Sequence, residues 1–158
     1  MGLDMFLTAR RYLSMYSEAG DLALINELNA KYGLDPVSNT DYGNPIRARE
    51  LIFEVGYWRK ANAIHNWFVK NVQEGVDDCK DYYVDRTQLT DLIVLCKIVL
   101  DDNSRAGELL PSVGGFFFGG TEYDEYYYDD LKNTVTMVEK VLKMPTFEHC
   151  DFYYHSSW

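Results

Sequence analysis

The apolar residues of this chain recur with two different periods, and that mixture constrains the fold more than any other feature. Near the start, Leu3, Met5 and Leu7 alternate with polar neighbours, the period of a half-buried strand. From 147 to 154, Cys150, Phe152 and Tyr154 alternate in the same way with His149, Asp151 and Tyr153. Between these ends the spacing changes to three and four. A strand at each end and helices between them, without the regular strand–helix alternation of a parallel sheet, predict an α+β fold: about four helices packed on a small antiparallel sheet that includes both termini. With 158 residues the chain is expected to be a single domain, 1–158, because a second core of ordinary size would leave too little chain to bury itself.

The helical spans follow from spacing and end signals. From Asp21 to Tyr32, Leu22, Ile25, Leu28 and Tyr32 step by three or four, and Gly33 stands where a left-handed terminator belongs. Residues 33–47 carry Gly33, Pro36, Asn39, Asp41, Gly43, Asn44 and Pro45, a density of turn formers that predicts a surface loop. Residues 50–57 alternate at Leu51, Phe53, Val55 and Tyr57, which favours a strand, although a helix start fits the same stretch. A second helix is expected over 58–73 and closed by Gly75. On its wheel Trp58, Ala61, Ile64, Trp67, Phe68, Val69 and Val72 share one arc with His65, while Arg59, Asn62, Asn66, Lys70 and Gln73 lie opposite.

A third helix, capped by Asp85 or Thr87, places Leu89, Leu92, Ile93, Cys96, Val99 and Leu100 on one stripe. The segment from Leu110 to Gly120 brackets three phenylalanines between glycine pairs, which suits a short strand or a packed loop. Thr121 is then expected to cap a long fourth helix, with Asp124 as a capping-box acid. Its inward stripe would be Tyr123, Tyr127, Leu131, Thr134 or Val135, Val138 and Leu142, ending at Met144–Pro145.

Charge narrows the function. Fifteen Lys and Arg against twenty-five Asp and Glu give a formal charge of -10, a field that repels phosphate backbones and disfavours direct nucleic-acid binding. The same charge suits a protein that docks on a basic surface. No apolar run approaches the ~20 residues a membrane helix needs, and the opening Met-Gly-Leu-Asp-Met-Phe lacks the basic stretch of a signal peptide, so a cytoplasmic protein with no membrane partner is expected. Three widely spaced cysteines, Cys79, Cys96 and Cys150, are an odd number and read as reduced thiols.

At Gly2-Leu3-Asp4-Met5-Phe6-Leu7, at Tyr57-Trp58-Arg59-Lys60-Ala61-Asn62-Ala63-Ile64-His65-Asn66-Trp67-Phe68 and at Phe116-Phe117-Phe118-Gly119-Gly120-Thr121-Glu122-Tyr123-Asp124-Glu125-Tyr126-Tyr127, the chain resembles a family of small bacteriophage and prophage proteins to which no activity is attached. The resemblance extends over nearly the whole chain. It implies a phage accessory protein acting in the bacterial host cytoplasm, and it transfers no catalytic residue.

Two sets of residues are candidates for function. Glu122, Tyr123, Asp124, Glu125, Tyr126, Tyr127 and Tyr128 interleave acids with rigid amphipathic anchors of the kind enriched at interfaces, a surface for a basic host protein. Two of those four tyrosines are expected to face inward. Acids at a helix start also follow from the helix dipole alone. The second set is Trp58, Asn62 and His65, spaced to form one row on a helix with Arg59 and Lys60 alongside; it would stack on a flat ligand, read its edge and neutralise a phosphate. Against it, Trp58 and His65 lie on the apolar arc and read as core residues.

No metal site is expected. Glu125 and Asp129 lack a loop motif, and Cys79, Cys150, His149 and His155 lack ligand spacing. No cofactor fingerprint or catalytic triad pattern is present, which leaves a non-enzymatic binding protein as the principal reading and a small-ligand or nucleotide-binding protein or enzyme as its rival. The sequence sets no oligomeric state.

Overall fold

The computed structural model describes residues 2–17, 20–116 and 118–158. In chain order these form β1 (Asp4–Tyr12), α1 (Asp21–Lys31), β2 (Glu50–Arg59), α2 (Asn62–Asn71), β3 (Tyr82–Val84), α3 (Arg86–Asp101), α4 (Ala106–Leu109), α5 (Glu125–Lys143) and β4 (Asp151–Ser157). The strands make one four-stranded antiparallel sheet in the order β2-β1-β4-β3, so the N- and C-terminal strands are central neighbours and the expected α+β class holds. β3 pairs with β4 through Tyr82↔Tyr154, Tyr83↔Tyr153 and Val84↔Phe152. Among the described residues no helix is long and apolar enough to cross a membrane.

The chain gathers into two compact units, Arg10–Ile52 and the remainder, Met1–Ala9 with Phe53–Trp158. In the smaller unit Leu13, Met15, Ile25 and Val37 form the core. Arg11 pairs with Asp21 at the start of α1, and α1 ends as its sequence predicts, with Gly33 at φ +71°. The 33–47 loop is shaped by two asparagines on α1. Asn29 donates to the carbonyls of Asp35 and Ile46 and accepts from the Ala48 amide, while Asn26 exchanges bonds with Val37 in both directions. A loop whose backbone polar groups find side-chain partners can be ordered without a ladder.

In the larger unit the core is built from one face of the sheet and the inward stripes of the helices. Leu3, Met5 and Leu7 from β1 and Phe152 and Tyr154 from β4 are buried, as their alternation requires. α3 opens with a full capping box: Asp85 accepts from the Gln88 amide and Gln88 reaches back to the Asp85 amide. Its buried residues are Leu89, Leu92, Ile93, Cys96 and Val99, the expected stripe short of Leu100, which is half-buried. α5 buries Tyr127, Leu131, Thr134, Val138 and Val141 and ends at Met144.

Along β2 the alternation changes phase. Phe53 and Val55 turn inward, but beyond them Gly56 and Trp58 are the buried pair and Tyr57 and Arg59 are exposed. The buried face shifts by one residue there, at the position with no side chain. A Cβ on Gly56 would stand 3.1 Å from Leu7 Cβ and 3.1 Å from Met137 Cε, so a side chain there would have to displace its neighbours on β1 and α5 by a few tenths of an ångström.

Several expectations are corrected. The helix read over 58–73 begins only at Asn62, because Trp58 and Arg59 end β2 and Lys60 turns the chain at φ +60°. α2 is also buried nearly all round: Asn62 and Asn66, read as the solvent side, are covered, as is Gln73 just beyond it. Asp124, not Thr121, caps α5 by accepting from the Tyr127 amide, which leaves Tyr123 ahead of the helix. Val141 replaces Leu142 on the inward stripe. Phe147 belongs to a single 3-10 turn before β4. β3 was not foreseen. The 110–120 segment is a loop at its described positions, and Phe117 lies outside the described residues.

Candidate functional site

Members of both candidate sets, Arg59, Lys60 and Asn62 from one and Glu122, Asp124, Tyr126 and Tyr127 from the other, line one cleft of about 440 Å³ in the larger unit, between the β2–α2 turn and the first turns of α5. Its construction starts at Trp58. The indole Nε1 donates to Thr134 Oγ1 at 2.8 Å, and that hydroxyl donates to the Asp130 carbonyl at 2.7 Å, so the end of β2 is tied to α5 by a buried chain. The Lys60 amide donates to the Leu3 carbonyl at 2.8 Å, and the Asn62 amide donates back to Lys60 at 2.8 Å, which fixes the turn into α2.

Asn62 closes the cleft. Its Nδ2 donates to the carbonyls of Gly120 at 2.6 Å and Phe118 at 3.2 Å, and its Oδ1 accepts from the Val113 amide at 3.1 Å. One side chain thus satisfies three backbone groups of the glycine-rich loop and holds that loop beside the turn. Gly119, at φ +86°, brings the loop backbone to where an added Cβ would meet Lys60 Cβ at 3.2 Å.

Charge is distributed unevenly around the opening. Arg59 and Lys60 come from the turn; Asp124, Asp129 and Asp130 come from α5 and its cap. Burial, reinforced by the neighbouring Asp129 and Asp124 carboxylates, pushes the Asp130 carboxyl up to about 6. Asp129 has Lys132 at 2.9 Å, but among the described residues no cation stands within ion-pair distance of Asp130.

A raised carboxyl pKa is a stability cost whose pH window is defined. The unfolded chain releases this proton near the ordinary value of 3.8 and the folded one near 6, so folding is favoured less as pH rises across that interval, and the cost is full above it. Asp130→Asn, which loses no side-chain hydrogen bond, is expected to raise the unfolding free energy by about 1–2 kcal/mol near neutral pH, discounted for partial solvent screening. The gain should vanish near pH ~4. Urea titrations of both proteins at the two pH values check this; equal stability at neutral pH would contradict it.

The row expected from Trp58, Asn62 and His65 does not form, because Trp58 and His65 are core residues and Asn62 is committed to the loop. His65 is 2% exposed and sits in a hydrogen-bonded chain. Nε2 lies 3.0 Å from Asp77 Oδ2 and Nδ1 lies 2.7 Å from the Tyr154 hydroxyl. A carboxylate only accepts, so Nε2 carries the hydrogen, and in the neutral ring Tyr154 then donates to Nδ1. Burial and the Asp77 carboxylate keep the Tyr154 phenol well above its ordinary range, consistent with a donor that stays protonated. Asp77 also accepts from Trp158 Nε1 at 3.1 Å, and Phe118 meets the imidazole edge-on at a centroid distance of 5.1 Å. The sequence thus named a structural histidine.

Of the four tyrosines, Tyr127 is buried and donates to the Leu110 carbonyl at 2.8 Å, and Tyr128 is half-buried against it. Tyr123 and Tyr126 are exposed, at 42% and 74%, as are Glu122, Asp124, Glu125 and Asp129. Asp130 belongs to the run of acids Glu122, Asp124, Glu125, Asp129 and Asp130 that the sequence reads as favoured by the helix dipole; its partial burial is what that reading missed. Its place beside Leu131 on the core stripe, one helical turn before Thr134, was the available signal for a partly covered acid.

Among the described residues no group of three or more His, Cys, Asp or Glu is placed to hold a metal ion. None of the three cysteines is in a disulfide, and burial pushes the Cys96 thiol up to about 12, far from a reactive thiolate. Comparison with family models, with curated proteins and with solved structures finds no match to this chain.

Proposed function

We propose that this is a phage-encoded accessory binding protein, non-enzymatic, that engages a basic surface of a bacterial host protein in the cytoplasm through the acidic, tyrosine-bearing stretch at the start of α5. The observation that carries the reading is the exposure of Tyr123 and Tyr126 beside exposed Glu122, Asp124, Glu125 and Asp129. Aromatic anchors rimmed by charge are the composition of interface hot spots, and the formal charge of -10 steers a basic partner toward them. The phage setting rests on the sequence resemblance. Blocking a defence nuclease or another nucleic-acid enzyme is the consequence that such charge mimicry would have.

The test is affinity capture from bacterial lysate with the wild type and with the Tyr123→Ala/Tyr126→Ala pair. The wild type is expected to retain a basic host protein, with retention falling as salt rises, and the double variant to lose it while melting at an unchanged temperature. Equal capture by both proteins would overturn the reading.

A further inference from the structure

The cleft holds charges of both signs that do not neutralise one another. Lys60 makes no ion pair among the described residues, and Arg59 has only Asp4, with Nε at 4.0 Å. Among the described residues no cation lies within ion-pair distance of Asp130. Opposite charges that line one concavity without meeting across it leave a gap that a bipolar occupant fits.

The backbone adds to the cationic side. Ala61 through Ile64 line the same cleft, and Ala61, the N-cap of α2, has no side chain to cap the first turn; the Asn62 amide is bonded to the Lys60 carbonyl, which leaves the amides of Ala63 and Ile64 without a side-chain cap. Tyr126 and Leu131 supply a less polar wall on the α5 side. At about 440 Å³ the space is in the range of small-molecule sites rather than of a docked chain segment.

We propose that this cleft binds a zwitterionic small molecule of the α-amino-acid class, with its carboxylate at the Arg59–Lys60 turn and the start of α2 and its ammonium at Asp130. The inference does not rest on the docking of a host protein. The ammonium supplies the counter-ion that Asp130 lacks, and only the ionised carboxylate rewards it. Affinity is therefore highest above the Asp130 titration and falls as pH drops through it. A molecule carrying one of the two charges alone leaves the other side of the cleft unanswered.

The experiment uses the purified full chain and a pool of the common L-amino acids, observed by saturation-transfer NMR, then N-acetylated and C-amidated pools. At least one free amino acid is expected to bind, with a loss of about tenfold or more on blocking either end. Asp130→Asn should weaken binding to a similar extent at neutral pH, and Arg59→Gln gives an independent variant on the opposite wall. Both variants are checked for an intact melting transition. Absence of transfer to every free amino acid, or equal binding of the blocked forms, would overturn the assignment. Because no host protein is present, either result leaves the lysate capture to be decided on its own.

Discussion

His65→Ala is expected to lower the unfolding free energy by about 3–5 kcal/mol. Two costs add. The imidazole is fully enclosed, so its removal leaves a cavity against Phe118 and Tyr154, whose rings stand at 5.1 Å and 6.2 Å. It also strips the Tyr154 hydroxyl, itself wholly buried, of its 2.7 Å partner and leaves the 3.0 Å bond to Asp77 unmade. An unpaired buried donor carries its full desolvation penalty, whereas a shape-matched pair replacement does not. His65→Ala with Tyr154→Phe should therefore lose less than the sum of the two single variants. A urea midpoint shift at constant slope measures each effect; additive losses would show that the hydrogen-bonded chain contributes nothing beyond volume.

Asn62→Ala should cost about 2–3 kcal/mol and release the glycine-rich loop from α2, because one side chain holds three backbone groups there. The local signature is as informative as the global one. The Val113 amide, freed from Oδ1, should exchange its hydrogen much faster than the Lys60 amide, which remains bonded to the Leu3 carbonyl. Asn62→Asp retains the acceptor for Val113 but sets a carboxylate against the carbonyls of Phe118 and Gly120. It should be at least as damaging as alanine. Unchanged exchange at Val113 in both variants would mean that the loop holds itself.

Much of the fold could be read from the chain because burial and local preference agree over long spans. β1, α1, α3, α5 and β4 each bury one face, and one face is what periodicity reports. The readings failed where that condition failed. α2 is covered nearly all round, so its polar Asn62 and Asn66 had no solvent side to mark, and their hydrogen bonds to distant carbonyls leave no periodic trace. Trp58 continued the apolar arc of the helix ahead of it, and the separating turn depends on a lysine at φ +60°, a conformation no residue preference assigns to lysine. β3 has three residues, too few to show alternation. At the site, the acids and exposed tyrosines were legible as a group, but their place across a cleft from Arg59 and Lys60 is set by the Trp58–Thr134 bond and by Asn62 with the loop. That closure is a tertiary event.

The one-residue shift of the buried face at Val55–Gly56 gives this strand an unusual sensitivity to length. Without it, an uninterrupted two-residue repeat from Phe53 would send the Trp58 indole outward and leave Thr134 without its donor. The Lys60 turn would follow onto the other side of the sheet and take its positive charge out of the cleft. Deleting one residue here would not shorten an element; it would invert which half of the sequence faces inward from that point to α2. The binding concavity is in that sense a matter of parity, and chains of this design can tolerate substitution along β2 far more readily than a single-codon gap.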